Sequence, residues 1–195
     1  MKTDKEIRFS PVTIELRAEG DAAPVVSGYA ALFDTPSQDM GGWVEVIKPG
    51  AFSTIASDDV RFLIGHEDEP LARTASGTMK CTVDGKGLYF EASLDPTDPD
   101  VQRLLPKIRR KDLSQMSFGF MCRKDQWVNE NGMIRRELVD VEVCDVSPVT
   151  YAAYDQTSIS VRSFEAFKKE QDELAKVRDA AKVKPIKTIL DLIME

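Results

Sequence analysis

Three short stretches of this 195-residue chain hold the residue types that nucleophilic chemistry needs. "VRFLIGHEDEPLAR" (Val60 to Arg73) contains the only histidine, His66. "LSQMSFGF" offers two hydroxyls, Ser114 and Ser117, and "LVDVEVCDVSP" carries Asp145. A serine hydroxyl is a weak attacker until an adjacent base takes its proton, and a histidine with an ordinary pKa of about 6.5 can take one and return it. A carboxylate completes such a set by holding the imidazole tautomer. With the period of two that strands impose, Val60, Phe62, Ile64 and His66 share one face, and Val139, Val141, Val143 and Asp145 share another. Both polar groups then end apolar rows, where an unpaired polar group is costly, so each is able to satisfy the other. In the serine strand, Met116, Phe118, Phe120 and Cys122 form one face and Ser117, Gly119 and Met121 the other. Gly119 either leaves room for a substrate backbone or marks a bulge. These patterns are open to a serine triad, and also to a structural histidine beside ordinary strand serines.

Composition narrows the classes. An apolar fraction of 42% and a charged fraction of 30% are those of a globular domain, and 195 residues suit one well-cored domain with an appendage. The net charge of −7 and the lack of a basic stripe with interleaved aromatics argue against nucleic acid. "KIRRK" (Lys107 to Lys111) reads instead as a helix end, where cations suit the dipole. No apolar leader opens the chain and no run approaches the roughly 18 apolar residues of a membrane span, so no membrane role is expected. Cys81, Cys122 and Cys144 are odd in number and far apart, which fits reduced core thiols in a cytosolic compartment. One histidine and no C-x-x-C pair leave a metal site without support, and no cofactor motif is present.

The elements that must position these residues are mostly strands. "PVTIELRAEG" alternates as one half-buried strand, "VVSGYAALF" as a second, and "GWVEVIKPGAF" as a strand with a short helix near 49–56. "GTMKCTVDGKGLYFEASLD" is a hairpin turning at Asp84-Gly85, and Asn131-Gly132 joins two further strands. "DPTDPDVQRLLPKIRRKD" is a helix with apolar residues at helical spacing, kinked or split at Pro106. From Ser163 the composition shifts to an exposed helix ended by Pro185, followed by a short amphipathic tail. The expected organisation is a domain over 1–162 and a helical C-terminal tail over 163–195. The class is mixed α/β, mainly β: a small barrel decorated with helices.

The string "MSFGF", preceded by a basic helix and followed by "EVCDVSPVTYAAY", resembles the prohead (procapsid maturation) serine proteases of tailed phages. These are similar in fold to the herpesvirus assemblin proteases. Gly65-His66-Glu67 matches the family's "GH(D/E)" strand end, Ser117 its "SFGF" serine, and Asp145 the acidic residue before "VS-x-V". "GYAALFD" and "IKPGAF" are further family-like strings, and the match runs from about Ile14 to Ser160. Two positions depart from the pattern: the family more often has Glu where Asp145 stands, and proline where Ala152 stands. The second histidine that assemblins use as third member is impossible here. Glu142 is the fallback carboxylate, though strand phase points it away from the face assigned to Asp145.

The resemblance implies a small antiparallel, herpesvirus-protease-like barrel and a serine endopeptidase. Ser117 would be the nucleophile, His66 the general base and Asp145 the residue that orients it. Its implied substrates are the major capsid protein with its scaffold segment, and its own tail as a docking or self-processed piece. It further implies a homo-oligomer at work inside the assembling procapsid in the host cytoplasm. The competing expectation is a non-catalytic scaffold or capsid-interaction module of the same fold.

Overall fold

The computed structural model describes residues 5–17, 23–150 and 158–193. The chain divides into two units, residues 1–155 and 156–195. In the first, the elements run β1 (Glu6–Thr13), β2 (Glu15–Arg17), β3 (Val25–Leu32), β4 (Trp43–Ile47), β5 (Arg61–Ile64), β6 (Glu67–Arg73), β7 (Met79–Val83), β8 (Gly87–Ser93), α1 (Pro99–Arg109), β9 (Gln115–Glu130) and β10 (Met133–Val149). The fold is mainly β with helices, as the sequence implied. Its strands form two sheets: β1-β9-β10-β5-β6, with β4 also paired to β10, and β2-β3-β8-β7. Among the described residues neither order closes into a ring. Nor is the pairing wholly antiparallel. β10 is 17 residues long, so its first half accepts β4 in parallel at 134–138 and its second half β5 at Asp145 and Val146.

One face of β9 and β10 makes the core. Met116, Phe118 and Phe120, with Val141, Val143 and Val146, pack on Val26, Leu88 and Phe90 of the second sheet. Phe62 of β5 stacks on Phe90 of β8 with ring centroids 5.8 Å apart, which ties the two sheets together. Burying each such side chain contributes roughly 1.5–3 kcal/mol. The opposite face of β9 and β10 is left to carry polar residues.

Several local expectations are redrawn. "PVTIELR" is two strands, because the chain leaves the first sheet at Thr13 and enters the second at Glu15, with buried Ile14 between them. Residues 49–57 are turns instead of a helix. The Met79–Ser93 hairpin forms, but its loop runs from Asp84 to Gly87, closed by Asp84 N–H donating to the Gly87 carbonyl (3.1 Å). α1 is one helix with Pro106 inside it. Asp98 caps it by accepting from Asp100 N–H (2.7 Å), and Val101, Leu104, Leu105 and Ile108 are its buried face. In the second unit, α2 (Ser158–Ile193) starts ahead of Ser163 and continues through Pro185. Leu174 and Val177 are exposed on it. Ala152 lies outside the described residues.

Candidate active site

His66 reaches its position through a turn. Ile64 pairs with Glu67, and the two residues between them, Gly65 and His66, have φ of 63° and 67°. That is the double left-handed geometry of a type I′ hairpin, so His66 does not extend the Val60-Phe62-Ile64 row. Left-handed backbone is uncommon outside glycine and costs energy that surrounding contacts must hold. Two contacts hold this one. Gly65 N–H donates to the Pro148 carbonyl (3.1 Å), and His66 N–H donates to Ser147 Oγ (3.1 Å). The hairpin tip is thereby docked onto the end of β10.

Asp145 is brought to the imidazole by a bulge. Val143 pairs with Phe120, yet Asp145 pairs with Gly119, so Cys144 is an extra residue and the strand phase flips across it. Asp145 therefore faces away from Val141 and Val143, on the side that carries Ser117 and Gly119. Asp145 thus does not continue the expected Val139-Val141-Val143 row, although its pairing with His66 is present. Asp145 Oδ2 lies 2.5 Å from His66 Nδ1. An ionised carboxylate only accepts, so Nδ1 carries a proton, and in the neutral ring the lone pair is on Nε2. The bulge also places Glu142, opposite Met121, on Asp145's face. Phase does not separate the two carboxylates; partners do, because Glu142 is paired with Arg123 (2.8 Å).

The same face explains Gly119. A Cβ there would stand 2.5 Å from Asp145 Oδ1 and also strike the Lys5 side chain. The space is filled by the carboxylate rather than held open for a substrate. Lys5, just before β1, pairs with Asp145 Oδ1, and Ser147 Oγ lies 3.3 Å from Oδ2. Burial pushes the Asp145 carboxyl up, but the hydrogen bonds and charge of His66 and Lys5 outweigh it and hold the group below its ordinary value.

Ser117 stands directly across from Ser147 in the β9–β10 ladder, on the face of Asp145 and Gly119. Its hydroxyl donates to the Arg8 carbonyl of β1 (2.9 Å). His66 Nε2 is buried without a hydrogen-bond partner. Leaving such an atom unpaired costs on the order of 1–3 kcal/mol, which asks for an explanation. The site is closed: Ser117 and Asp145 are each 2% exposed, and the His66 side chain 8%. Ser114 precedes β9 and plays no part in the cluster.

Ser117 and Asp145 thus share one face of β9 and β10, and His66 contacts Asp145 from the β5–β6 turn. Lys5 and Ser147 join the cluster outside the expected set of residues. Ser147 was legible, since it sits two residues after Asp145 on the same strand; nothing in the sequence ties Lys5 to Asp145. Among the described residues no group of three or more His, Cys, Asp or Glu side chains is placed to hold a metal. The cysteines are unbonded, and burial pushes the Cys81 and Cys122 thiols up to about 12, away from nucleophilic use.

The family model of the caudovirus prohead serine proteases matches residues 12–170, a span that includes His66, Ser117 and Asp145. The chain belongs to that family. No curated protein and no solved structure matches it significantly. Membership makes it a prohead protease of the serine-peptidase class, with capsid maturation in the procapsid as its context. Among the described residues no helix is long and apolar enough to cross a membrane.

Proposed function

We propose that this prohead protease is a serine endopeptidase in which Ser117 attacks, His66 is the base and Asp145 holds His66. The observation that carries the reading is the buried, unpartnered Nε2 of an imidazole whose Nδ1 is bound to a carboxylate. That is the arrangement of a base awaiting a proton. Ser117 Oγ turns from the Arg8 carbonyl to Nε2, gives up its proton and bonds to the scissile carbonyl carbon. The imidazolium, stabilised by Asp145, then protonates the leaving amine, and water hydrolyses the acyl-serine by the reverse relay. The proposed substrates are the major capsid protein with its scaffold segment and the protease's own tail over 163–195, a self-processed or docking segment. The proposed working form is a homo-oligomer inside the procapsid in the host cytoplasm.

A second reading, a non-catalytic scaffold module of the same fold, is favoured by one observation: the Ser117 hydroxyl is buried and spent on Arg8. Labelling with a fluorophosphonate at low and high protein concentration, and within co-expressed procapsids, decides between them. An adduct mapped to Ser117 that vanishes in His66→Ala supports the protease. No adduct in any of these states supports the scaffold module.

A further inference from the structure

We propose that Ser147 is a positioning residue that locks the tautomer and orientation of His66, an inference that rests on the reading of His66 as the base. Its hydroxyl touches both halves of the dyad at once. Ser147 Oγ accepts His66 N–H at 3.1 Å and lies 3.3 Å from Asp145 Oδ2, to which it gives its proton. Since Oγ takes a hydrogen bond from the backbone of one partner and gives one to the carboxylate of the other, it sets their separation. Ser147 is fully buried, so water does not substitute for it.

The need for such a lock follows from the hairpin. His66 sits in left-handed backbone at the tip of a two-residue turn, and the backbone of that tip is tied to β10 by the Gly65 and His66 N–H groups, beside the side-chain bond from Nδ1 to Asp145. Without the Ser147 contact, one backbone bond, from Gly65 to Pro148, remains to hold a strained turn, and the orientation of the ring rests on Asp145 alone. Asp145 Oδ2 would also lose one of its two hydrogen bonds, leaving the carboxylate held by His66 Nδ1 and by Lys5 at Oδ1. Ser147 is not a competing nucleophile, because its hydroxyl is directed at the carboxylate on the Nδ1 side of the ring. The free Nε2 is on the other side.

The single histidine supplies a direct readout, since every imidazole nitrogen signal comes from His66. In unaltered protein the nitrogen spectrum near neutral pH is expected to show one tautomer, protonated at Nδ1, and a His66 amide protected from exchange. Ser147→Ala is expected to mix the two tautomers and to slow fluorophosphonate labelling of Ser117 by about ten- to a hundredfold, the worth of one charge-assisted hydrogen bond. Ser147→Thr, which keeps the hydroxyl, is expected to return the single tautomer and most of the rate. A folded Ser147→Ala with unaltered imidazole signals and labelling rate overturns the proposal. Should that variant not fold, the unaltered protein still decides: a His66 amide exchanging like an open loop amide overturns the lock. If the tautomer result appears but Ser117 never labels, inside procapsids or out, the reading of Ser117 as nucleophile falls instead.

Discussion

Two buried charged clusters lie in this small domain, and they are built on opposite terms. In the first, Arg136 donates to Glu6 (2.8 and 3.0 Å), Glu45 (2.9 Å) and Asp125 (2.6 Å), while Arg8 donates to Glu6 (2.6 Å) and Glu45 (2.7 and 3.1 Å). Arg136, Glu6, Arg8 and Glu45 are nearly inaccessible, and the cluster ties β1 and β4 to β10. Burial acts to lower the Arg136 pKa, yet its carboxylate partners keep it above the ordinary value. In the second cluster, His66, Asp145, Lys5 and Ser147 are just as buried at their centre, but Nε2 is left over. A network whose donors and acceptors are matched stabilises a fold and offers nothing to a substrate. A network that leaves one buried nitrogen without a partner gives up stability there, and under the proposed function that nitrogen is the base.

Variants can sharpen or break that contrast. The largest effect is expected for Asp145→Asn, which keeps shape but reverses the tautomer preference of His66. Labelling of Ser117 should slow by about 10⁴-fold, with the melting temperature little moved by comparison. Arg136→Ala should act the other way, removing about 3–5 kcal/mol by leaving buried Glu6 and Glu45 to share Arg8, as read by denaturant unfolding. Any labelling that survives in its folded fraction should run at the unaltered rate. If Arg136→Ala instead left stability intact and stopped labelling, the division between the clusters would be wrong.

Gly119→Ala comes next. The new methyl meets the Asp145 carboxylate and Lys5, so it should disturb the dyad at a cost of about 1–3 kcal/mol, with altered His66 nitrogen signals. Phe118→Leu, on the core face of the same strand, should leave those signals alone.

A smaller, graded effect is expected with acid. Burial works against ionised Glu6, but Arg136 and Arg8 outweigh it and hold its carboxyl below 4.5, as His66 and Lys5 hold Asp145 below 3.8. Groups lowered in the folded state contribute fully above these ordinary values, and the contribution disappears as pH falls through the lowered ones. The melting temperature should therefore be flat above about pH 5 and drop below about pH 4. Removing Lys5 (Lys5→Met) should have the least effect on stability, since the pair is partly open to water.

The residues of the candidate site stand out in the chain alone, and so does much of the fold. Alternation marked β3, β7, β8, β9 and β10; helical spacing marked α1; Asn131-Gly132 marked the β9–β10 turn. The strand phases beyond irregularities were not readable. A single extra residue at Cys144 reverses every inward and outward assignment that follows, and no local propensity announces it. Local sequence favours a strand through His66, because Gly-His is an unusual I′ pair, stabilised here by Ser147 and Pro148 from a strand some eighty residues away.

Local periodicity is written in the neighbours of each residue, so strands, helix and candidate chemistry follow from the order of amino acids. Which oxygen meets which nitrogen depends on register, bulges and long-range docking, and these are settled when distant strands compete for the same backbone partners. The chain alone carried the histidine, the serine and the aspartate. Folding supplied the bulge that turned Asp145 to His66, the glycine that left it room, the lysine and second serine that hold it, and the β1 carbonyl that occupies Ser117.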